Sequence, residues 1–335
     1  MFNKVAILGA GSWGMAIAKV LDDNGADVIL WEFDRNEYNR LVADRGLEEK
    51  LAGFRLAESI DLTNDRDEAI DGADLIVLAI PSQSMRAALG GLKNRLAPDT
   101  PLVSLAKGIE NESLQRMSEV IAVQTGVMAD RIATLSGPSH AEEVAREMPT
   151  SVVVGSVSEI LAEKLQERFS NQYFRMYTCD DVVGVELGGS LKNIIAIGVG
   201  ITDGLGMGDN TRGALISRGL AEMVRLGTVL GAQPETFAGL SGLGDLITTC
   251  ISRHSRNRHV GEKIGQGQKL ADILKAMHMV AEGVATTRSG YMLSQKYDVE
   301  MPITEQVYQV LFEDKPPSAA VSDLMGRKLK AEIWR

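Results

Sequence analysis

The sequence predicts an α/β doubly wound domain with a parallel sheet over residues 1–180, followed by an all-α domain over 181–335. Three observations carry that expectation. Short β-branched runs alternate with longer helical patterns in the first half. Those runs are almost continuously apolar, as in strands covered on both faces of a parallel sheet. From Val182 onward the chain reads as long helical segments broken by Gly-rich turns, with no convincing strand.

Taken in order, strands are expected at 5–8, 28–31, 75–80, 102–105, 132–135 and 151–154, and helices at 13–24, 82–96, 112–125 and 158–170. The change of pattern near Asp180 marks the domain boundary, and Lys315-Pro316-Pro317 reads as a surface turn before the last helix. A chain of 335 residues with 44% apolar residues has room for two buried cores. Its net charge of -10 argues against a nucleic-acid partner, which demands a basic face. Cys179 and Cys250 stand too far apart in the chain to suggest a disulfide framework, and neither has metal-ligand spacing. The chain passes from Met1 almost directly into the first strand, and its apolar stretches fall short of the roughly 20 residues of a membrane span. The expectation is a soluble, cytoplasmic protein without a metal.

Gly9-Ala10-Gly11-Ser12-Trp13-Gly14 follows a predicted strand and opens a predicted helix. In that setting Gly9 permits the tight turn, Gly11 lets a pyrophosphate approach the backbone, and Gly14 lets the helix pack on the strand. The free N–H groups at the helix start would hold the phosphates. Glu32 follows the second strand, about where an acidic residue meets the adenosine ribose. The motif therefore predicts a Rossmann-type site for NAD or NADP.

Beyond two further strand ends lie Pro81-Ser82-Gln83 and Ala106-Lys107-Gly108, and Ser136-Gly137-Pro138-Ser139-His140-Ala141 forms a third such loop. By itself Lys107 reads first as a solvated surface lysine, although a lysine one step past a buried strand can also reach over the sheet edge to an anion. His140 on its own reads as incidental. In the second half, Lys192 interrupts a helix that is apolar nearly all round. It is either a snorkelling lysine or one whose charge is set by a closed site. Asp245 and the run Ser255-Arg256-Asn257-Arg258 supply a carboxylate and phosphate-capable donors, or else a polar connection between helices.

Together with Leu187-Gly188-Gly189-Ser190-Leu191-Lys192-Asn193, Gly242-Leu243-Gly244-Asp245-Leu246 and Val280-Ala281-Glu282-Gly283, these motifs make the chain resemble the bacterial NAD(P)-dependent glycerol-3-phosphate dehydrogenase family over essentially its full length. The resemblance implies reduction of dihydroxyacetone phosphate to sn-glycerol 3-phosphate for phospholipid synthesis. It aligns Lys192 with the proton acceptor and Lys107 with a lysine near substrate and cofactor. Gly137, Ser139, Asp245, Ser255, Arg256 and Asn257 match substrate positions, while Ser12, Trp13, Phe33, Ala141, Arg256, Val280 and Glu282 match dinucleotide positions. Phe33 and Glu32 replace a histidine and a small residue common in bacterial members. With Glu32 opposed by Arg35, both cofactors are expected to serve, NADH at least as well as NADPH. A hydroxyacid dehydrogenase of the 6-phosphogluconate type and a non-catalytic nicotinamide sensor are the rival readings. The expected partner is the small-molecule substrate, and a homodimer is allowed.

Overall fold

The computed structural model describes residues 2–93, 95–97, 99–277, 279–329 and 331–332. Eight strands form one sheet: β1 (Lys4–Leu8), β2 (Asp27–Trp31), β3 (Asp61–Thr63), β4 (Leu75–Leu78), β5 (Leu102–Ser104), β6 (Ile132–Ser136), β7 (Thr150–Ser156) and β8 (Phe174–Cys179). Their order is β3-β2-β1-β4-β5-β6-β7-β8. Every neighbouring pair is parallel except β6 with β7. Alternate side chains feed two cores, with Val5 and Ile7 on one face and Ala6 and Leu8 on the other.

The helices flanking the sheet are α1 (Ser12–Asp23), α2 (Arg35–Asp44), α3 (Arg66–Ile70), α4 (Met85–Leu89), α5 (Met117–Thr125), α6 (Ala141–Val144) and α7 (Glu159–Phe169). Then follow α8 (Val182–Gly204), α9 (Asp209–Val229), α10 (Pro234–Ala238), α11 (Asp245–Ile251), α12 (Arg256–Gly265), α13 (Leu270–Ala276), α14 (Glu282–Lys296), α15 (Pro302–Phe312) and α16 (Pro317–Met325). No strand occurs among the described residues after β8.

The sheet departs from an all-parallel one at β7. The segment between β6 and β7 contains only the single turn of α6, so the chain returns along the same sheet edge instead of crossing over it. That keeps the loop of Gly137 and Ser139 at the edge where β1, β4 and β5 also end. The helix expected over 82–96 is cut to a 3₁₀ turn (Ser82–Ser84) and α4, because the chain stops at Gly90 and Gly91, the latter at φ +78°. The helix expected from 112 starts only at Met117, after a turn in which Leu114 adopts φ +59°.

Helix α8 is the axis of the second half. Among the described residues it is the one helix long and apolar enough to cross a membrane, yet 89% of that stretch is buried in the fold. It is a core helix. It runs alongside α12 with almost no side chains between them. A methyl group at Gly200 or Gly204 would run into the backbone carbonyls of Arg258 or Glu262, and one at Gly261 or Gly265 into those of Ile197 or Ile201.

Candidate active site

A cavity of about 760 Å³ runs along the C-terminal edge of the sheet, between the Gly-rich turn and the helices of the second half. At one end Gly9 holds φ +112°, and a side chain there would meet the Ala79 carbonyl at 2.5 Å. Gly11 faces open space and caps α1 without a side-chain bond, so the first N–H groups of the helix lack intrahelical partners. Open room beside unpaired donors at a positive helix end is what a dinucleotide pyrophosphate requires. Ser12, Trp13, Gly14 and Ala141 share this wall.

The end of the cavity at Glu32 is more crowded than the sequence suggests. Glu32 is 8% exposed and accepts a 2.9 Å bond from the Asp34 amide. Burial pushes its pKa up. Lys50, which sequence reading passes over, forms part of the wall, pairs with Glu37 and stands 3.8 Å from Glu32. Arg35, the expected competing cation, starts α2 outside the cavity wall, and the cation that lies in the wall is Lys50. Phe33 is 79% exposed at the lip, with its ring edge-on to Trp31. Val280 is also exposed there, whereas Glu282 accepts hydrogen bonds from the Ser82 amide and hydroxyl, tying α14 to the end of β4.

At the centre, Lys192 is 5% exposed on α8 and still forms part of the wall. Its ammonium donates to Asp245 Oδ1 and, at 2.7 Å, to Thr249 Oγ1 one turn further along α11. Asp245 is seated by a π-helical turn, Leu240–Gly244, that closes on α8 because Gly188 leaves no side chain in the way, while Gly242 lets the turn fold against the Phe237 backbone of α10. Lys107 reaches the other oxygen, Asp245 Oδ2, at 2.8 Å, and also donates to the Gly137 carbonyl at 2.8 Å and to Ser139 Oγ at 3.3 Å. Burial lowers the Lys192 pKa to about 7, with Lys107 adding to the fall and Asp245 opposing it. Burial alone would raise the Asp245 pKa, but Lys107 and Lys192 outweigh it and hold the group below the usual carboxylate range. Asp245 and Gly137 thus stand behind the cavity wall, Asp245 holding both lysines and Gly137 holding Lys107 alone.

At the third end Ser255 caps α12 by accepting from the Arg258 amide at 3.2 Å, and the helix N-terminus opens toward the cavity. Arg256 is exposed to the cavity, and its guanidinium has no hydrogen-bond or ion-pair partner among the described residues. Asn257 is already engaged: its Nδ2 donates to Asn193 Oδ1 at 2.8 Å, and its Oδ1 accepts from the Gly283 amide at 2.9 Å. Asn193 in turn donates to the Lys107 carbonyl at 3.2 Å, linking α8, α12, α14 and the loop after β5. Arg258 is withdrawn from the donor cluster, because its guanidinium pairs with Asp203 at 2.7 Å. The arrangement offers a buried amine for proton transfer beside an open guanidinium and a helix terminus fit for a phosphate.

Residues 4–162 match the N-terminal family of NAD-dependent glycerol-3-phosphate dehydrogenases, and residues 181–322 match the corresponding C-terminal family. The chain is 52% identical over 335 residues to a glycerol-3-phosphate dehydrogenase [NAD(P)+] of Geobacter sulfurreducens, covering 100% of both chains. It is 51% identical over 328 residues to that of Pelotomaculum thermopropionicum, covering 98% of this chain and 94% of the relative. The crystal structure of glycerol-3-phosphate dehydrogenase from Coxiella burnetii superposes with a TM-score of 0.93 at 39% identity, covering 97% of this chain and 99% of the other.

Proposed function

The chain belongs to the NAD-dependent glycerol-3-phosphate dehydrogenase family, and from that premise we propose that Lys192 is the proton donor and acceptor of the NAD(P)-dependent interconversion of dihydroxyacetone phosphate and sn-glycerol 3-phosphate. The observation that carries this assignment is a buried amine on the cavity wall, fixed by Asp245 and Thr249 in the same cavity as the open Arg256.

The bound reduced nicotinamide supplies hydride to the substrate carbonyl. As charge develops on the carbonyl oxygen, the Lys192 ammonium donates a proton to it, and in the reverse direction the free amine takes that proton back. Asp245 orients Lys192 Nζ, and Lys107 shares the same carboxylate so that neither ammonium is left alone in a dry site. Arg256 and the start of α12 hold the phosphate, which fixes the carbonyl at Lys192 and makes the step effectively unimolecular. Gly9, Gly11 and the α1 N-terminus serve the pyrophosphate. Trp13, Phe33, Ala141, Val280 and Glu282 border the rest of the dinucleotide, while Ser139 and Asn257 serve the substrate side.

We place the boundary between the dinucleotide half (1–180) and the substrate half (181–335) at Asp180, beside the start of α8. We place the protein in the cytoplasm, with its product feeding phospholipid synthesis, and allow a homodimer. Cell fractionation tests the first statement and sedimentation the last. The reaction itself is tested by incubating purified protein with dihydroxyacetone phosphate and either NADH or NADPH. Substrate-dependent loss of nicotinamide absorbance is expected, and none with either cofactor would refute the reading.

A further inference from the structure

Two histidines face the cavity from opposite halves of the chain and have no part in the chemistry above. His140 stands at the N-cap of α6, on the loop after β6, and His254 immediately precedes Ser255 at the start of α12. Their rings lie 5.7 Å apart, tilted by 52°, and both belong to the wall that also includes Lys192 and Arg256. His140 Nε2 is buried without a hydrogen-bond partner among the described residues. Leaving a buried polar group unpaired is costly, and native folds seldom do so unless something else completes it.

We propose that His140 is a specificity-determining residue for the substrate phosphate, its Nε2–H donating to a phosphate oxygen while His254 packs against the ring. The proposal rests on the reading of Arg256 and the α12 N-terminus as the phosphate site. Placement favours that end of the substrate. His254 is joined directly to the residue that caps α12, so the imidazole pair stands beside the phosphate donors. The carbonyl end already has the Lys192 ammonium.

The ionisable groups acting on His140 are Lys192, Lys107, Asp245 and His254. Burial first, then the two lysines, push its pKa down to about 4, so the ring is neutral near pH 7. A neutral imidazole still offers one donor. Arg256 contributes charge on a long side chain, whereas His140 contributes a donor on a ring with only two torsions. Together they separate attraction from orientation.

The test compares His140→Phe, which keeps a ring but loses the donor, with His140→Gln, which retains an N–H. The readouts are kcat and KM for dihydroxyacetone phosphate, the inhibition constant of inorganic phosphate as competitor, and NADH affinity as a check on the fold. His140→Phe should raise both KM and the phosphate inhibition constant about tenfold, the scale of one hydrogen bond to a charged group. Saturated turnover should fall much less, NADH affinity should hold, and His140→Gln should recover most of the loss. Unchanged constants in His140→Phe and in a second variant, His140→Ala, would overturn the proposal. So would an equal loss with unphosphorylated dihydroxyacetone, which would put the ring at the carbonyl end. Failure of the underlying reading looks different, because phosphate would then not compete with substrate even in the unaltered protein.

Discussion

Lys192 and Asp245 form an ion pair with both partners out of solvent, the lysine side chain 6% and the aspartate 2% exposed. A pair this deep is not an economical way to stabilise a fold, since desolvation offsets most of the attraction. Its value lies in holding one amine at one place on the cavity wall.

Lys192→Ala should therefore lower kcat by roughly 10²–10⁴-fold, the usual contribution of positioned acid–base catalysis. Asp245 keeps Lys107 as a partner, so the fold and NADH affinity should survive. Near-normal turnover in a folded Lys192→Ala protein would remove Lys192 from the chemistry.

The Lys192 pKa of about 7 gives the two directions opposite pH profiles. Reduction needs the proton on Nζ, so its kcat/KM should be high below that pH and fall as pH rises through it. Oxidation needs the free amine and should rise over the same interval. Asp245 raises the Lys192 pKa, so Asp245→Asn should move both midpoints to lower pH. Parallel profiles in the two directions would contradict the assignment.

Arg256→Ala should weaken dihydroxyacetone phosphate far more than unphosphorylated dihydroxyacetone, by about 1.5–3 kcal/mol for a charge-assisted contact. Equal effects on the two substrates would mean that Arg256 serves only the cofactor. The comparison is made on kcat/KM at fixed, saturating NADH.

Cofactor choice should turn on Glu32 and Lys50. A 2′-phosphate placed near Glu32 meets a carboxylate that repels it and an ammonium that can leave Glu37 to pair with it. The protein should use NADH at least as well as NADPH. Glu32→Gly should shift the ratio of catalytic efficiencies toward NADPH, and Lys50→Ala should shift it toward NADH. Arg35→Ala should change it little. A ratio insensitive to both Glu32 and Lys50 would place the adenosine ribose elsewhere.

The sequence makes most of the sheet legible, because β1, β2, β4, β5 and β6 are buried on both faces and their apolar runs are continuous. It hides β3, which is only three residues long, and β8, whose alternation of buried Phe174 and Met176 with exposed Arg175 and Tyr177 belongs to an edge strand. The direction of β7 depends on how the preceding connection packs, which composition does not encode. At the site, Lys192 is legible as a charge in an apolar helix. Thr249 has a weaker signal, four residues beyond Asp245 on the same helix. Lys50 has none, since its place beside Glu32 comes from a loop distant in sequence. Arg258 looks like its neighbour Arg256 until the turn of α12 carries it to Asp203.

The backbone-to-backbone seam between α8 and α12 makes the protein a length gauge for its substrate. Lys192 rides on one helix and the phosphate grip on the other, and the glycines at 200, 204, 261 and 265 leave no compressible side chains between them. The spacing of the two helix backbones is thus set by peptide groups, which neither stretch nor repack. With Lys192 and Arg256 in the roles proposed, a phosphoester with one carbon more or fewer between carbonyl and phosphate would have to be met by those two side chains alone, because the helices carrying them cannot shift to follow it.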